Sequence, residues 1–463
     1  MGSQRLVLGC WLRRDGGESM QKPGRIIPFR PRQDFAAGMD KTTRWNFSAL
    51  VLDGICFAIG AAFLEANTVL PNLVSSLTSN SVIIGLSSTI RNAGYLLPQL
   101  FVAGYAERLP FKKPLLRLNG IINRLSLLLM ALAVFFSERN PRLALIGLLL
   151  ALSLFSFTDG VGGVPWTDMV AKSIPATRRG RLFATMQSLG GIGAFAAGFL
   201  IRQVLEFVAF PLNYAVLLLV GFVFMAVSLV GTMLVKERQG AVRHGSTMAD
   251  YWRRLPRVWR SSPMFQRMMF TRMLMSCFYL ALPFYIVFAR EKLGFAESTV
   301  GLFLSAQMAG SILASLLWGH LGDKQGNRAV IRLVTLIAAL TPGLALVASL
   351  MVRVGLASLA FLPCLCIFTA VGATLSGNWI GYTNYLLEVA SDIDRPTYVG
   401  MMNTLTAPFT FLPIVGGGLL HFTSHEVLFA LTLLIVSGSV FMASRLPEPR
   451  TMVQVQPGQE SSL

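Results

Sequence analysis

The chain has 463 residues, of which 54% are apolar and only 13% charged, with a mean hydropathy of +0.60. A soluble globular domain carries about a quarter charged residues, so this composition excludes a large water-soluble core and points to a bilayer as solvent. The net charge of +18 is not a nucleic-acid signal: the basic residues stand between apolar runs, and no basic stripe with interleaved aromatics accompanies them.

Residues 1–44 are Arg-, Gly- and Pro-rich, as in RRDGGESMQKPGRIIPFRPRQDF, and are predicted to form a disordered basic cytoplasmic tail. The apolar piece LVLGCWL is too short for a signal peptide, and no small-residue cleavage site follows it. Met39 opens MDKTTRWNF just before the first apolar run and is a second candidate start.

Apolar runs long enough to cross a bilayer, about 20 residues each, then recur along the chain. Six are predicted near 45–70, 81–106, 115–136, 142–169, 182–205 and 211–235, an N-terminal half at 45–235. A polar cytoplasmic central loop, 236–264, precedes six more near 265–289, 297–320, 329–351, 355–388, 398–421 and 426–445. These make a C-terminal half at 265–445, followed by a cytoplasmic tail at 446–463. The predicted fold class is an all-α polytopic membrane protein of 12 transmembrane helices in two pseudo-symmetric six-helix halves. Most of the 40 Lys and Arg residues fall in the tails and in alternate loops, which puts both termini in the cytoplasm of a bacterial inner membrane.

Two stretches show the duplication. Residues 85–94 read GLSSTIRNAG and residues 301–310 read GLFLSAQMAG. Gly85 and Gly301 are 216 positions apart, as are Ala93 and Ala309, Glu107 and Asp323, Met186 and Met402, and Phe195 and Phe411. One offset held over more than a hundred residues marks two copies of a single unit. Duplicated six-helix halves place a binding site between them near the midplane.

After the eighth span comes GHLGDKQGNR, residues 319–328. Gly319 is expected to let the helix end lie close to a neighbour. Asp323 is an anion at a helix end beside Lys324 and Arg328, and such a carboxylate can latch the two halves together on the cytoplasmic side. This stretch resembles the G-x-x-x-D-[RK]-x-G-[RN]-[RK] loop signature of the major facilitator superfamily of secondary transporters. The resemblance extends to the twelve spans and split halves. It implies a gating role for Gly319, Asp323, Gly326 and Arg328. The first-half copy, AGYAERLPFKK, departs from the pattern: Ala103 and Pro110 replace glycines and Glu107 replaces the Asp. Glu107, Arg108 and Lys112 keep the charge pattern of a weaker latch.

Charges inside the spans cost several kcal/mol each unless paired or functional, at about 2.5–3.5 kcal/mol on the insertion scale. At about 1.5 Å per residue, Asp53, Arg124, Asp159 and Arg272 share one level, about 11–15 Å from the cytoplasmic end. Arg91 lies higher, and Glu65 lies near the outer face. One reading is mutual neutralisation, Arg124 with Asp159 and Arg91 or Arg272 with a carboxylate. The other is function. The resemblance implies that span 1 lines the cavity, where the carboxylate of Asp53 can take up and release a proton with Arg272 as its counter-charge. Glu65 is either a pathway residue or a solvated end.

Span 10 carries Asn378, Tyr382 and Tyr385 at i, i+4 and i+7, one helix face that suits a small organic solute or an interfacial aromatic belt. Gln307 is an uncharged pathway candidate or a plain interhelical hydrogen-bonder. The Gly-rich spans 5 and 11 serve close packing and lean toward export. His421-x-x-x-His425 has the spacing of two metal ligands but no acidic or Cys cluster, so no metal is expected. No phosphate loop, nucleophile–base pair or cofactor motif appears, so neither enzyme activity nor a cofactor is expected.

The reading is a monomeric secondary transporter that moves a small-molecule solute, with protons, across the lipid bilayer, with no nucleic-acid partner. Facilitated uniport on the same fold and a non-transporting membrane sensor or assembly protein are the alternatives.

Overall fold

The computed structural model of the chain describes residues 40–106, 109–238, 256, 259–260, 262–390 and 395–449. Glu107 and Arg108 of the expected first-half latch, the N-terminal tail and most of the central loop lie outside the described residues.

In chain order the helices are α1 (Lys41–Ala62), α2 (Val69–Leu77), α3 (Ser81–Ala106), α4 (Lys113–Phe135), α5 (Pro141–Ser173), α6 (Ala176–Phe207) and α7 (Leu212–Leu234). The second half holds α8 (Pro263–Ser276), α9 (Phe284–Glu291), α10 (Thr299–Gln325), α11 (Asn327–Arg353), α12 (Phe361–Val389), α13 (Arg395–Thr406), α14 (Leu412–Phe422) and α15 (His425–Ser444). Among the described residues, 11 helical segments are long and apolar enough to cross a membrane. The 26-residue helix α3 stands where the second span is expected.

Local chemistry sets several boundaries. Asn140 accepts a hydrogen bond from Leu143 N at 3.1 Å, and Pro141 opens α5 where a missing N–H costs nothing. Ser262 with Pro263 starts α8 in the same way, and Ser424 caps α15. Three spans differ from expectation. The first does not run to residue 70: α1 ends at Ala62, and a turn leads into the short α2. The seventh is interrupted by a 3₁₀ turn at Cys277–Leu280 before Pro283 and α9. The eleventh is broken at Ala407–Phe411, between Pro408 and Pro413, because proline removes a backbone donor and clashes with the preceding turn.

The 216-residue offset carries over to the helices. Moving Pro141–Ser173 along by 216 positions gives 357–389, the bounds of the 3₁₀ turn Ala357–Ala360 followed by α12. The packing repeats as well. The pairs α3 with α5, α4 with α5, α4 with α7 and α1 with α7 have the counterparts α10 with α12, α11 with α12, α11 with α15 and α8 with α15. The halves meet along two seams, α3 on α14 and α6 on α10.

The seams are built on glycine. A Cβ at Gly85 would collide with the Pro413 carbonyl, and one at Gly301 with the Gly198 carbonyl. Pro413 and Gly198 differ from symmetric positions by a single residue once the offset is applied. The repeated glycines are thus the points where the two halves cross backbone against backbone. Ser81 Oγ donates to Gly417 O at 2.8 Å in one seam, and Ser305 Oγ to Phe195 O at 2.9 Å in the other. These contacts lie near the starts of α3 and α10, toward the end of α6, and in α14, which forms the last part of the eleventh span. They therefore sit at the face of the bundle opposite the one where α1 begins and α15 ends. The two are called below the opposite face and the terminal face.

Candidate functional site

Three polar clusters and two loop networks hold the predicted residues. The first cluster ties the halves together at the opposite face. Glu65 follows α1, and its carboxylate accepts from Asn67 N and Nδ2, both at 2.7 Å, and from Thr68 Oγ1 at 2.9 Å. Gln307 Nε2 of α10 donates to Glu65 Oε1 at 3.0 Å, so the two join across the halves. Nearby, Asn72 of α2 hydrogen-bonds the Tyr214 hydroxyl of α7, which donates to Glu297 Oε1 at 2.9 Å. Arg290 Nη1 of α9 donates to Asn72 Oδ1 at 2.8 Å and faces Glu297 at 3.7 Å. Asn72 and Tyr214 belong to the first half, Arg290 and Glu297 to the second. Sequence reasoning missed this latch, since Arg290 and Glu297 flank the short connection between the seventh and eighth spans and no local pattern links them to Asn72 and Tyr214.

The second cluster lies inside the first half. Trp166 Nε1 of α5 donates to Asp53 Oδ2 at 2.7 Å, and Ser228 Oγ of α7 donates to Asp53 Oδ1 at 2.6 Å. Arg124 of α4 reaches Asp53 only through Ser228, to which its Nη2 donates at 3.2 Å; its Nε donates to Met225 O at 2.8 Å. The expected Arg124–Asp159 pair is not formed. Asp159 instead pairs with Arg91 at 2.9 Å, while the Arg91 guanidinium lies over the Phe155 ring. A long arginine side chain spans the difference in depth that separates Arg91 from Asp159 in the sequence estimate. In the second half, the positions equivalent to Arg91 and Asp159 are Gln307 and Leu375. Both charges are replaced together, as expected if the pair exists to neutralise itself.

The third cluster lies inside the second half. Arg272 of α8 is 9% exposed, its guanidinium over the Tyr382 ring at 5.2 Å, and its Nη1 points at Met402 Sδ at 3.3 Å. Asn378 and Tyr382 of α12 are buried beside it. Asp53 and Arg272 are engaged in separate halves, so the expected charge switch between them is not formed in this conformation. Tyr385 points elsewhere, its hydroxyl donating to Pro447 O at 2.8 Å.

At the terminal face the loop residues join neighbours of their own half. Lys112 Nζ lies 3.5 Å from Asp168, and the Lys112 and Lys113 N–H groups, at 2.7 and 2.9 Å, donate to the Glu237 carboxylate. A carboxylate at the start of α4 suits the partial positive charge there. The second half does likewise: Arg328 meets Glu448 at 3.6 Å, and Glu448 sits against Gly326 at the start of α11. Gly326 has φ +83°, a left-handed conformation that favours glycine. Gly319 differs from expectation. A Cβ there would meet nothing within 4 Å, and the residue borders a cleft of about 330 Å³ together with Trp318, Asp323 and Glu388. Close helix approach is therefore not its role in this conformation. Arg179 caps the end of α5, donating to Ile174 O and Ala171 O. His421 and His425 are separated by the break between α14 and α15, and His425 packs against Phe288 and Phe429.

Comparison with known proteins bears on this arrangement. A family model described as the Major Facilitator Superfamily matches residues 50–404 and 268–462. Among curated proteins, an uncharacterized protein of Mycobacterium tuberculosis (strain ATCC 25618 / H37Rv), Rv2209, is 26% identical over 289 residues, 60% of this chain and 54% of that one. The chain thus spans about half the length of the curated relatives it matches. A bacterial homologue of the iron transporter ferroportin, in an inward-facing state, superposes with a TM-score of 0.68 at 14% identity over 87% of this chain and 98% of that one. The nucleoside transporter NupG gives 0.61 at 13%, over 89% and 99%. An occupied, inward-facing bacterial homologue of the lysosomal transporter Spinster gives 0.63 at 14%, over 89% and 98%.

Proposed function

The chain belongs to the major facilitator superfamily, and from that premise we propose that it is a secondary active transporter of a small organic solute. The terminal face lies in the cytoplasm of an inner membrane, and the halves rock to expose a midplane site to each side in turn. The observation that carries this reading is the pair of glycine seams, Gly85 on Pro413 and Gly301 on Gly198, related by one offset and both at the opposite face. Seams built on backbone contact at one face serve as pivots, and they hold that face shut while the other opens. The polar latch of Asn72, Tyr214, Arg290 and Glu297 lies at the same face and supports the same closed state.

Protons are the proposed driving ion, and Asp53 is their carrier. Asp159 is committed to a direct ion pair with Arg91, whereas Asp53 is held by the neutral donors Trp166 and Ser228, with Arg124 reaching it through Ser228. Protonating Asp53 therefore breaks no direct ion pair. The glycines of α6 are accounted for by packing, Gly190 on Ala58 and Gly198 on Gly301, and favour neither direction of transport.

The test is a solute screen in proteoliposomes under an imposed pH gradient. Accumulation that collapses in Asp53→Asn while solute exchange persists supports proton coupling. Accumulation unaffected by that change supports a different coupling group. Equilibration without accumulation in the unmodified protein supports uniport.

A further inference from the structure

Arg272 is a buried cation without a buried anion. Its Nη1 meets a thioether, a weak acceptor, and its Nε has no hydrogen-bond partner among the described residues. No carboxylate lies within ion-pair distance of it among those residues. Two further groups beside it are also unpartnered, the Tyr382 hydroxyl and Asn378 Oδ1. Tyr382 is fully buried and Asn378 is 8% exposed. Asn378 and Tyr382 share one face of α12, and Arg272 faces them from α8. Buried polar groups are almost always satisfied, and three unsatisfied ones on adjoining faces mark a place where something binds.

The first half shows what is missing. Trp166 and Tyr382 are 216 positions apart. Trp166 donates its N–H to the carboxylate of Asp53. Tyr382, at the equivalent place, has a donor to offer and finds no carboxylate. Met269 stands where the offset would place the counterpart of Asp53. The second half therefore keeps the donors and adds a cation, but lacks the acid.

We propose that Arg272 and Tyr382 form the recognition site for a carboxylate carried by the solute, with Asn378 Oδ1 beside them to accept a hydrogen bond from an O–H or N–H elsewhere on the solute. Nε and a terminal N–H of the guanidinium form a planar fork that matches two carboxylate oxygens, and the Tyr382 hydroxyl adds a third donor. A single cation matches a monocarboxylate. The Tyr382 ring, which holds the guanidinium in place, and the neighbouring Tyr279 provide an apolar wall for an aromatic or aliphatic body. This inference rests on the transporter reading, and it names the substrate class for that site.

The test uses the full chain in nanodiscs, with benzoate, phenylacetate and indole-3-acetate each compared with its primary amide, and inorganic phosphate as an alternative anion. Binding is read by a direct method such as calorimetry. At least one carboxylate is expected to bind more tightly than its amide and than phosphate. Arg272→Gln should weaken it by about ten- to a hundredfold, the loss of a charge-assisted contact. Arg272→Lys, which keeps the charge and loses the fork, should weaken it less, and Tyr382→Phe should weaken it by up to about tenfold. Equal binding of carboxylate and amide, preference for phosphate, failure of every carboxylate to bind, or full affinity in both Arg272→Gln and Tyr382→Phe overturns the proposal. Tyr382→Phe removes one oxygen, so it keeps the test decisive if the arginine variants fail to fold. Arg272-dependent binding without translocation in liposomes would sink the transporter reading and leave this site standing. Translocation of neutral solutes undiminished in Arg272→Gln would do the reverse.

Discussion

Replacing Arg290 with Ala should open the opposite face. Arg290 Nη1 lies 2.8 Å from Asn72 Oδ1, 3.1 Å from Ser75 Oγ and 3.2 Å from Ser76 Oγ, with Glu297 at 3.7 Å. The Arg290 and Glu297 side chains are 25% and 23% exposed. Solvent therefore screens the ion pair, which contributes about 0.5 kcal/mol. The charge-assisted bond to Asn72 adds about 1.5 kcal/mol. All these partners lie in the first half except Glu297, so every bond but the Glu297 pair exists only while the face is closed. The Glu297 pair persists on opening, so the loss of about 1.5 kcal/mol across the halves shifts the closed–open equilibrium by about tenfold. The assay places a reporter by Ser81→Cys, at a position buried in the seam, in a chain whose five native cysteines are replaced. Its labelling by a maleimide is followed in nanodiscs, where the rate reports the open population. Arg290→Ala should raise the rate about tenfold, and Glu297→Gln should raise it less, because Arg290 keeps Asn72. A rate within twofold of the parent in Arg290→Ala would refute the latch.

Arg91→Gln alone or Asp159→Leu alone should each destabilise the protein by about 3 kcal/mol, because each strands a charge that is mostly buried. The double change, which copies Gln307 and Leu375 of the second half, should recover most of that loss in thermal unfolding. Gly301→Ala should hold the α6–α10 seam apart, since its Cβ would overlap the Gly198 carbonyl. The Ser81→Cys reporter should then label faster, while Gly319→Ala, with open space beside it, should leave labelling unchanged. Glu237→Ala should destabilise the start of α4 by about 1 kcal/mol, the value of a helix-terminal cap, read as a lower unfolding midpoint.

The duplicated fold was legible in the sequence because its marks are local. Gly85 and Gly301 recur where backbones cross, and apolar length alone fixes a span. Interruptions were less legible. The break after Ala62, the 3₁₀ turn at Cys277–Leu280 and the break at Ala407–Phe411 sit in apolar stretches, so only Pro283 and Pro408 mark the latter two in the sequence. Charge pairing was the least legible. Depth counted along a helix is one coordinate, whereas a partner depends also on helix rotation and side-chain reach. Arg124 therefore turned to Met225 and Ser228, and Arg91 reached down to Asp159. Tyr385 shared a face with Asn378 and Tyr382 by spacing, yet its hydroxyl went to the backbone of Pro447, in a segment the spacing of α12 does not reveal. The Arg290 latch joins four separate segments, a relation that no local pattern records.

The most direct test of the rocking of the two halves is a pair of distances measured by spin labels. One pair sits toward the terminal face, on Leu118 of α4 and Gln325 at the end of α10; the other sits at the opposite face, on Phe207 of α6 and Val354 just after α11, all four exposed. Breaking the latch with Arg290→Ala should lengthen the second distance and shorten the first, because two rigid halves that pivot cannot open one face without closing the other. Two distances that stay fixed, or that lengthen together, would contradict the account.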